Sequence, residues 1–192
     1  MENHTSVLAR VRSMFLTRKT SLPVSTSISV SICDKWMPPS IGWIKCNTGG
    51  VFDIISGANG AGYVMRDFTR KAIFCASLVF EVLSAEEAEA RAIWAVLKKT
   101  LEEPLTHIII ESDAKSLIDQ FSARNFEGNS RTDAIFKDVQ FFSSKLVACI
   151  FTFQPRYCNS VAQWAKNNNS TMYWSTPPVW LLATVEEDHL PF

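Results

Sequence analysis

The sequence lacks three features that identify common protein classes: paired cysteines, a long apolar run and an excess charge. No two of its five cysteines have C-x-x-C spacing, which excludes zinc ribbons and dithiol redox motifs. No run approaches the roughly 20 apolar residues that a membrane span needs. A secretory apolar segment is also missing, so we expect a reduced intracellular compartment, the cytoplasm or the nucleus.

The charge balance limits how the chain can bind a nucleic acid. Lys plus Arg and Asp plus Glu number 19 each, and the formal net charge is zero. A neutral chain cannot attract phosphates through bulk charge, so any nucleic-acid binding must use a local patch. Hydrophobic residues make up 47% of the 192 residues, enough for the core of one domain.

The first 35 residues differ in composition from the rest. They are rich in Ser, Thr and basic residues, which is typical of an organelle transit peptide. The alternative is a poorly ordered leader or the remnant of a linker. We therefore predict a leader over 1–35, a domain over 36–170 and a C-terminal tail over 171–192.

Hydrophobic periodicity predicts an α/β fold with one mixed sheet and helices on both of its faces. Alternation of apolar and polar residues predicts three strands joined as an antiparallel meander. The next segment has apolar residues at the spacing of a helix, so it predicts a helix with one apolar face. Ser84 with Glu87 forms a capping box at the start of that helix. The predicted elements are strands at 43–52, 60–67, 71–80, 107–110 and 146–153 and helices at 84–101, 114–121, 131–145 and from 159 onwards.

Two acidic residues occupy positions where a surface carboxylate is not expected. Glu89 lies four residues before Ile93 on the apolar stripe, so it faces the sheet and needs a partner or a metal. Asp113 follows a buried strand at its C-terminal end, where open α/β sheets bind ligands. Asp113 is equally suited to cap the helix that follows.

Several motifs, in order, resemble the plant-type RNase H-like domains related to those of retrotransposon reverse transcriptases. The pattern W-x-P-P-x-x-G-W-x-K-x-N-T-x-G over 36–50 resembles the opening of that family. The later motifs are GAGYVMRD at 60–67, SAEEAEARA at 84–92, ESDAKSLID at 111–119, PRYCNSVAQWAK at 155–166 and PPVWLLATVEED at 177–188.

The resemblance implies a five-stranded RNase H-like mixed sheet, with the first strand central and the fourth beside it. Active members are endonucleases that cleave the RNA strand of an RNA–DNA hybrid. In those members four carboxylates hold two Mg²⁺ ions, one of which activates water while the other stabilises the leaving oxygen. The partner it implies is an RNA–DNA hybrid or another nucleic-acid duplex. A membrane is not implied, and a monomer is the default expectation.

When the family's motif is matched to this sequence position by position, two of its four carboxylates are present. Glu89 matches the helix carboxylate and Asp113 the aspartate of the fourth strand, whereas Gly49 and Gln163 stand where the other two carboxylates are expected. The resemblance assigns metal binding to Glu89 and Asp113. It assigns nucleic-acid contact to Asn47 and to Gly50.

Nearby residues do not replace the missing charges. Asp53 shares the face of Gly49 in the first strand, but four residues at about 3.3 Å rise place it roughly 13 Å away. Gln163 keeps a carbonyl oxygen but carries no charge. Three hypotheses remain: a nucleic-acid-binding domain with weak or no hydrolysis (a pseudoenzyme), an active metal-dependent ribonuclease, and a protein-interaction module or retroelement relic.

Overall fold

The computed structural model describes residues 36–155 and 159–182, and these form one mixed sheet with helices on both faces. The predicted leader and the last residues of the predicted tail lie outside the described residues. The elements in chain order are β1 (Ile44–Phe52), β2 (Asn59–Arg66), β3 (Ala72–Leu78), α1 (Ala85–Glu102), β4 (His107–Ser112), α2 (Lys115–Ser122), α3 (Asp133–Ser144), β5 (Ala148–Phe153), α4 (Asn159–Asn168) and β6 (Met172–Trp174).

The strand order across the sheet is β5-β4-β1-β2-β3-β6. The strands β1, β2 and β3 form the predicted antiparallel meander, and β4 pairs parallel with β1 on one side and with β5 on the other. The predicted central position of β1, next to β4, is therefore confirmed. Because β1 and β4 are parallel and pair from Ile44↔Ile108 to Asn47↔Glu111, β4 ends beside the middle of β1.

The predicted strand number of five is wrong, because β6 adds a sixth strand antiparallel to β3. Three tryptophans join the segment after α4 to that helix. The rings of Trp164 and Trp180 stack at 5.5 Å with an interplanar angle of 3°, and Trp174 meets both edge-on. Leu181 is buried in the same cluster. Packed structure thus continues beyond residue 170, where we predicted the domain to end.

Helix α1 begins as its capping box predicts. The backbone N–H of Glu87 donates to the Ser84 hydroxyl at 3.1 Å, and the Glu87 carboxylate accepts from the Leu83 N–H at 3.0 Å. Helices α1, α2 and α3 contribute to a core on one face of the sheet. The opposite face of β1, β2 and β3 packs against α4.

Two glycines, Gly50 and Gly62, let α1 and α4 approach the sheet closely. A Cβ atom at Gly50 would lie 2.5 Å from backbone atoms of Ala88 and Glu89 in α1. A Cβ atom at Gly62 would lie 2.6 Å from the Val161 side chain in α4. Since neither space holds a methyl group, the two glycines fix the distance from β1 to α1 and from β2 to α4.

Candidate nucleic-acid interface

Glu89 lies where α1 touches β1 most closely. Its Oε2 atom accepts a hydrogen bond of 2.8 Å from the Gly50 backbone N–H. The close approach that Gly50 permits therefore also positions the carboxylate against the strand. The prediction that Glu89 faces the sheet is confirmed.

Burial and, secondly, the negative charge of Asp113 raise the pKa of Glu89 to about 8. The Gly50 N–H opposes both effects because it stabilises the charged form. At neutral pH the side chain is therefore largely a neutral carboxylic acid. The charge of Asp113, at the end of β4, therefore acts on Glu89 of α1.

Asp113 does not cap helix α2, although capping was one of the two interpretations of this residue. The N-cap residue of α2 is Ala114, and that helix has no side-chain cap hydrogen bond. The Ser112 hydroxyl instead accepts from the Ala114 N–H at 3.1 Å. The Asp113 side chain is thus left to interact with Glu89 at the C-terminal end of β4.

Gly49 occupies a buried position in the middle of β1. It pairs with Gly62 of β2, and its φ is not among the left-handed values. Since neighbouring residues of a strand point to opposite faces and Gly50 faces α1, position 49 faces α4. Asn47 pairs with Glu111, so the same register, continued by two residues, places position 49 opposite position 113. A side chain at 49 would therefore project to the same side as Asp113.

Gln163 lies on α4, the helix that covers the face of Gly49 and Gly62. Its Nε2 atom donates to Asn167 Oδ1 at 3.0 Å, so the amide is directed along its own helix. The four positions that the resemblance singles out thus come from β1, α1, the end of β4 and α4. Two of them carry no carboxylate.

Asn47 is almost fully buried, with 2% of its surface exposed. Its amide donates to Glu111 Oε2 at 2.7 Å and accepts from the Arg66 guanidinium at 2.6 Å. Lys45 forms an ion pair of 2.7 Å with the same glutamate. Asn47 and Gly50 both lie inside the protein, so in this structure they shape β1 and are not exposed to a ligand.

The sequence interpretation missed this buried network, which ties β1, β2 and β4 together beside the candidate site. The Arg66 guanidinium also lies 3.7 Å from the ring centroid of Trp36, which is itself buried. The available signal was Glu111, an acid within an otherwise apolar strand. A buried carboxylate of that kind needs a cation or hydrogen-bond donors.

Asp53 has a structural role in the hairpin between β1 and β2. Its Oδ1 atom accepts from the backbone N–H groups of Ile55 and Ser56 at 2.9 and 3.2 Å, and these bonds lower the pKa of Asp53. Its carboxylate is therefore already engaged away from Glu89. This agrees with the expectation that Asp53 cannot replace a carboxylate at 49.

The residues present do not fit a centre for two Mg²⁺ ions. Across residues 36–155 and 159–182, no group of three or more His, Cys, Asp or Glu side chains could hold a metal. Of the four positions, Glu89 and Asp113 supply the two carboxylates. Mg²⁺ prefers charged oxygen ligands, whereas Gly49 supplies no side chain and Gln163 no charge.

Comparison with protein families decides which family the chain belongs to. The model of the family described as reverse transcriptase-like matches residues 47–168, more than half of the chain. The chain belongs to this reverse transcriptase-like family. A comparison with curated proteins finds no match.

Solved structures show that this reverse transcriptase-like chain has the fold of ribonuclease H domains. The N-terminal RNase H domain of Rv2228c from Mycobacterium tuberculosis has a TM-score of 0.59 at 18% identity and covers 67% of this chain and 96% of its own. RNase H1 from Halobacterium salinarum has a TM-score of 0.56 at 13% identity, covering 67% and 99%. LC11-RNase H1, solved with an RNA/DNA hybrid, has a TM-score of 0.59 at 15% identity, covering 66% and 98%.

No helix within residues 36–155 and 159–182 is both long and apolar enough to cross a bilayer.

Proposed function

We propose that this chain is a nucleic-acid-binding domain that holds an RNA–DNA hybrid or a related duplex and hydrolyses it weakly or not at all. The observation that carries the proposal is the composition of the four-position site. Glu89 on α1 and Asp113 at the end of β4 interact electrostatically, while Gly49 and Gln163 occupy the other two positions. Loss of two charges from four removes most of the attraction for divalent ions.

The proposed binding surface lies at the C-terminal end of β4, beside the middle of β1. Ligands of open α/β sheets bind beyond the C-terminal ends of parallel strands, and Asp113 lies at that place. The LC11 enzyme, which shares this fold, was solved with an RNA/DNA hybrid. In the proposal, the buried residues Asn47 and Gly50 keep β1 in position beneath the duplex.

The family match supports a retroelement origin for the domain as part of the same proposal. The resemblance implies that in active relatives one Mg²⁺ ion activates the attacking water and the other stabilises the leaving oxygen. The carboxylates within residues 36–155 and 159–182 do not fit two ions, so we assign no hydrolytic step to the chain.

Active hydrolysis is the second candidate function, and one observation favours it. The fold brings Glu89 and Asp113 together, although they are distant in sequence, and neither is used to cap a helix. A pair of carboxylates is the minimum from which a weak metal site could be built. Mg²⁺-dependent cleavage of an RNA–DNA hybrid, or its absence, separates the two candidates.

Duplex recognition by this chain is expected to follow shape and not base sequence. The wide minor groove of an A-like duplex displays 2′-hydroxyl groups, which a protein can contact without base-specific hydrogen bonds. Competition binding among an RNA–DNA hybrid, double-stranded DNA and single strands should therefore favour the hybrid. Because the chain is neutral, the logarithm of affinity should fall only shallowly with the logarithm of salt concentration.

Two results would count against this expectation. Strong preference for one base sequence would indicate direct base readout. No binding to any duplex at low salt would favour a protein-interaction module without nucleic-acid function. Permuting the base order of the hybrid at constant composition provides the matched control, since it changes base sequence while leaving charge and length unchanged.

A further inference from the structure

A row of three aromatic rings runs from α1 to the end of α3. The ring centroids of Trp94 and Phe142 lie 6.2 Å apart, and those of Phe142 and Phe141 lie 5.9 Å apart. Trp94 and Phe142 are half-buried against the core, whereas Phe141 is 55% exposed. The row therefore begins in packed structure and ends with a ring that is open to solvent.

Three cationic side chains lie against this row. The Arg91 guanidinium is 5.8 Å from the ring centroid of Trp94, and Lys98 Nζ is 5.2 Å from the same centroid. Lys145 Nζ is 4.6 Å from the ring centroid of Phe141. These distances are within the range of cation–π interactions. We call this surface the aromatic-basic patch, and it consists of Arg91, Trp94, Lys98, Phe141, Phe142 and Lys145.

The three cations of the patch have no acidic partner within the described part of the chain. None of its ion pairs involves Arg91, Lys98 or Lys145. Glu87, four residues before Arg91, accepts a hydrogen bond from the Leu83 N–H instead. The Arg91 Nε atom is buried and has no hydrogen-bond partner among residues 36–155 and 159–182. The charges of the patch are therefore available to an anion.

Two carboxylates lie beside the patch, and both are engaged. Asp138 accepts a hydrogen bond of 2.9 Å from Trp94 Nε1, which holds the indole in place. Glu102 lines a cavity of about 70 Å³ together with Trp94 and Lys98, and its carboxylate is 3.9 Å from Lys99 Nζ. Lys99 thus offsets Glu102, and three cations of the patch stand against the single charge of Asp138.

The patch is on a different side of α1 from the candidate site. Arg91, Trp94 and Lys98 follow one another at i, i+3 and i+7, so they form one stripe of the helix. At 3.6 residues per turn, this stripe points away from Glu89, which faces β1. A ligand of the patch would therefore not occupy the surface proposed for the duplex.

We propose that the aromatic-basic patch binds a single nucleic-acid strand, with a base stacked on Phe141 and phosphates held by Arg91, Lys98 and Lys145. Proteins that bind single strands without base preference combine a cationic surface with exposed rings on which bases stack. A paired base inside a duplex cannot stack on Phe141, so the exposed ring favours an unpaired strand. The proposal goes beyond duplex binding and does not depend on it.

Fluorescence anisotropy with a labelled oligothymidine of about 15 nucleotides and a base-free strand of equal length tests the stacking. The parent is expected to bind oligothymidine at least about tenfold more tightly than the base-free strand. Phe141→Ala should abolish most of this difference. Phe68→Ala is the matched control, because it removes a ring that is 46% exposed in the hairpin between β2 and β3.

The salt dependence of oligothymidine binding tests the role of the cations. Each phosphate contact to a single strand contributes about 0.7 to the slope of log affinity against log salt concentration. Lys98→Ala should therefore reduce the magnitude of the slope by about 0.7, while the control Lys71→Ala should leave it unchanged. Circular dichroism of each variant confirms that folded chains are compared.

Three results would overturn the proposal. The first is a parent that does not bind oligothymidine at low salt. The second is equal affinity for the two strands, which would identify a surface that reads charge alone and suits an acidic protein segment. The third is a Phe141→Ala or Lys98→Ala variant that behaves like its control.

Titration of the same proteins with an RNA–DNA hybrid separates this proposal from the proposed function. Phe141→Ala and Lys98→Ala should leave hybrid affinity unchanged, because the patch points away from Glu89. A parent that binds the hybrid but not oligothymidine contradicts only the single-strand site. A parent that binds oligothymidine but not the hybrid contradicts only the proposed duplex binding.

Discussion

Gly49→Asp combined with Gln163→Asp is expected to make the chain bind divalent metal ions more tightly than the parent does. Position 49 faces α4 from the strand between β2 and β4, and its φ is not left-handed, so the backbone accepts an aspartate. Position 163 approaches from α4. The two new carboxylates would complete the set begun by Glu89 and Asp113.

Thermal unfolding with and without Mg²⁺ or Mn²⁺ measures this effect. A metal at 100 times its dissociation constant stabilises the folded state by about 2.7 kcal/mol. For a chain of this size, that free energy corresponds to a rise in Tm of roughly 5–10 °C. Gly49→Asp alone should give a smaller rise. Without metal, the double variant should be less stable than the parent, since its carboxylates then repel one another.

The variant Gly49→Asn/Gln163→Asn is the matched control, because it adds similar side chains without charge. It should show no greater metal stabilisation than the parent. If the double aspartate variant folds yet gains no more from metal than this control, positions 49 and 163 are not the lost ligand positions. The alignment behind the candidate site would then be wrong.

Glu89→Gln is expected to make the chain more stable at high pH than the parent. The folded-state pKa of Glu89 is raised to about 8, above its unfolded value near 4.5. Stability from this group is therefore fully present below pH 4.5 and is lost as pH rises towards 8. The free energy of unfolding falls by at most about 1.4 kcal/mol per pH unit across this window.

Urea unfolding of parent and variant at several pH values isolates this contribution. The glutamine oxygen can still accept the Gly50 N–H bond, while the neutral amide does not lose a proton. The variant should match the parent near pH 5 and exceed it by on the order of a few kcal/mol near pH 9. Parallel pH profiles for the two proteins would show that Glu89 ionises normally.

Asp113→Asn supplies a second check on the same electrostatic pair. Removal of the Asp113 charge removes one of the two causes that raise the pKa of Glu89. The pH-dependent loss of stability should therefore end at a lower pH in this variant than in the parent. Burial still raises the pKa, so the dependence should shift and not vanish.

Local patterns in the sequence predicted most of the fold and the position of Glu89. The capping box at Ser84 and the apolar stripe of α1 depend only on residues within a few turns of each other, so they are visible in the sequence. The burial of Glu89 followed from its place on that stripe. The strand β6 was not predicted because three residues give too short an alternation.

Long-range contacts account for what the sequence did not show. Whether Asp113 caps α2 depends on the geometry at Ala114, which spacing alone leaves open. The resemblance assigned nucleic-acid contact to Asn47, whereas Arg66 and Glu111, from two neighbouring strands, occupy its amide. Such pairings become visible only when the sheet order is known.

The most direct test of the central claim follows binding and cleavage of one labelled RNA–DNA hybrid in the same sample at millimolar Mg²⁺. The account predicts a bound hybrid that stays intact, because two of the four carboxylate positions hold Gly49 and Gln163. Cleavage that requires Mg²⁺ and disappears in Glu89→Gln would contradict it and identify the chain as an active ribonuclease.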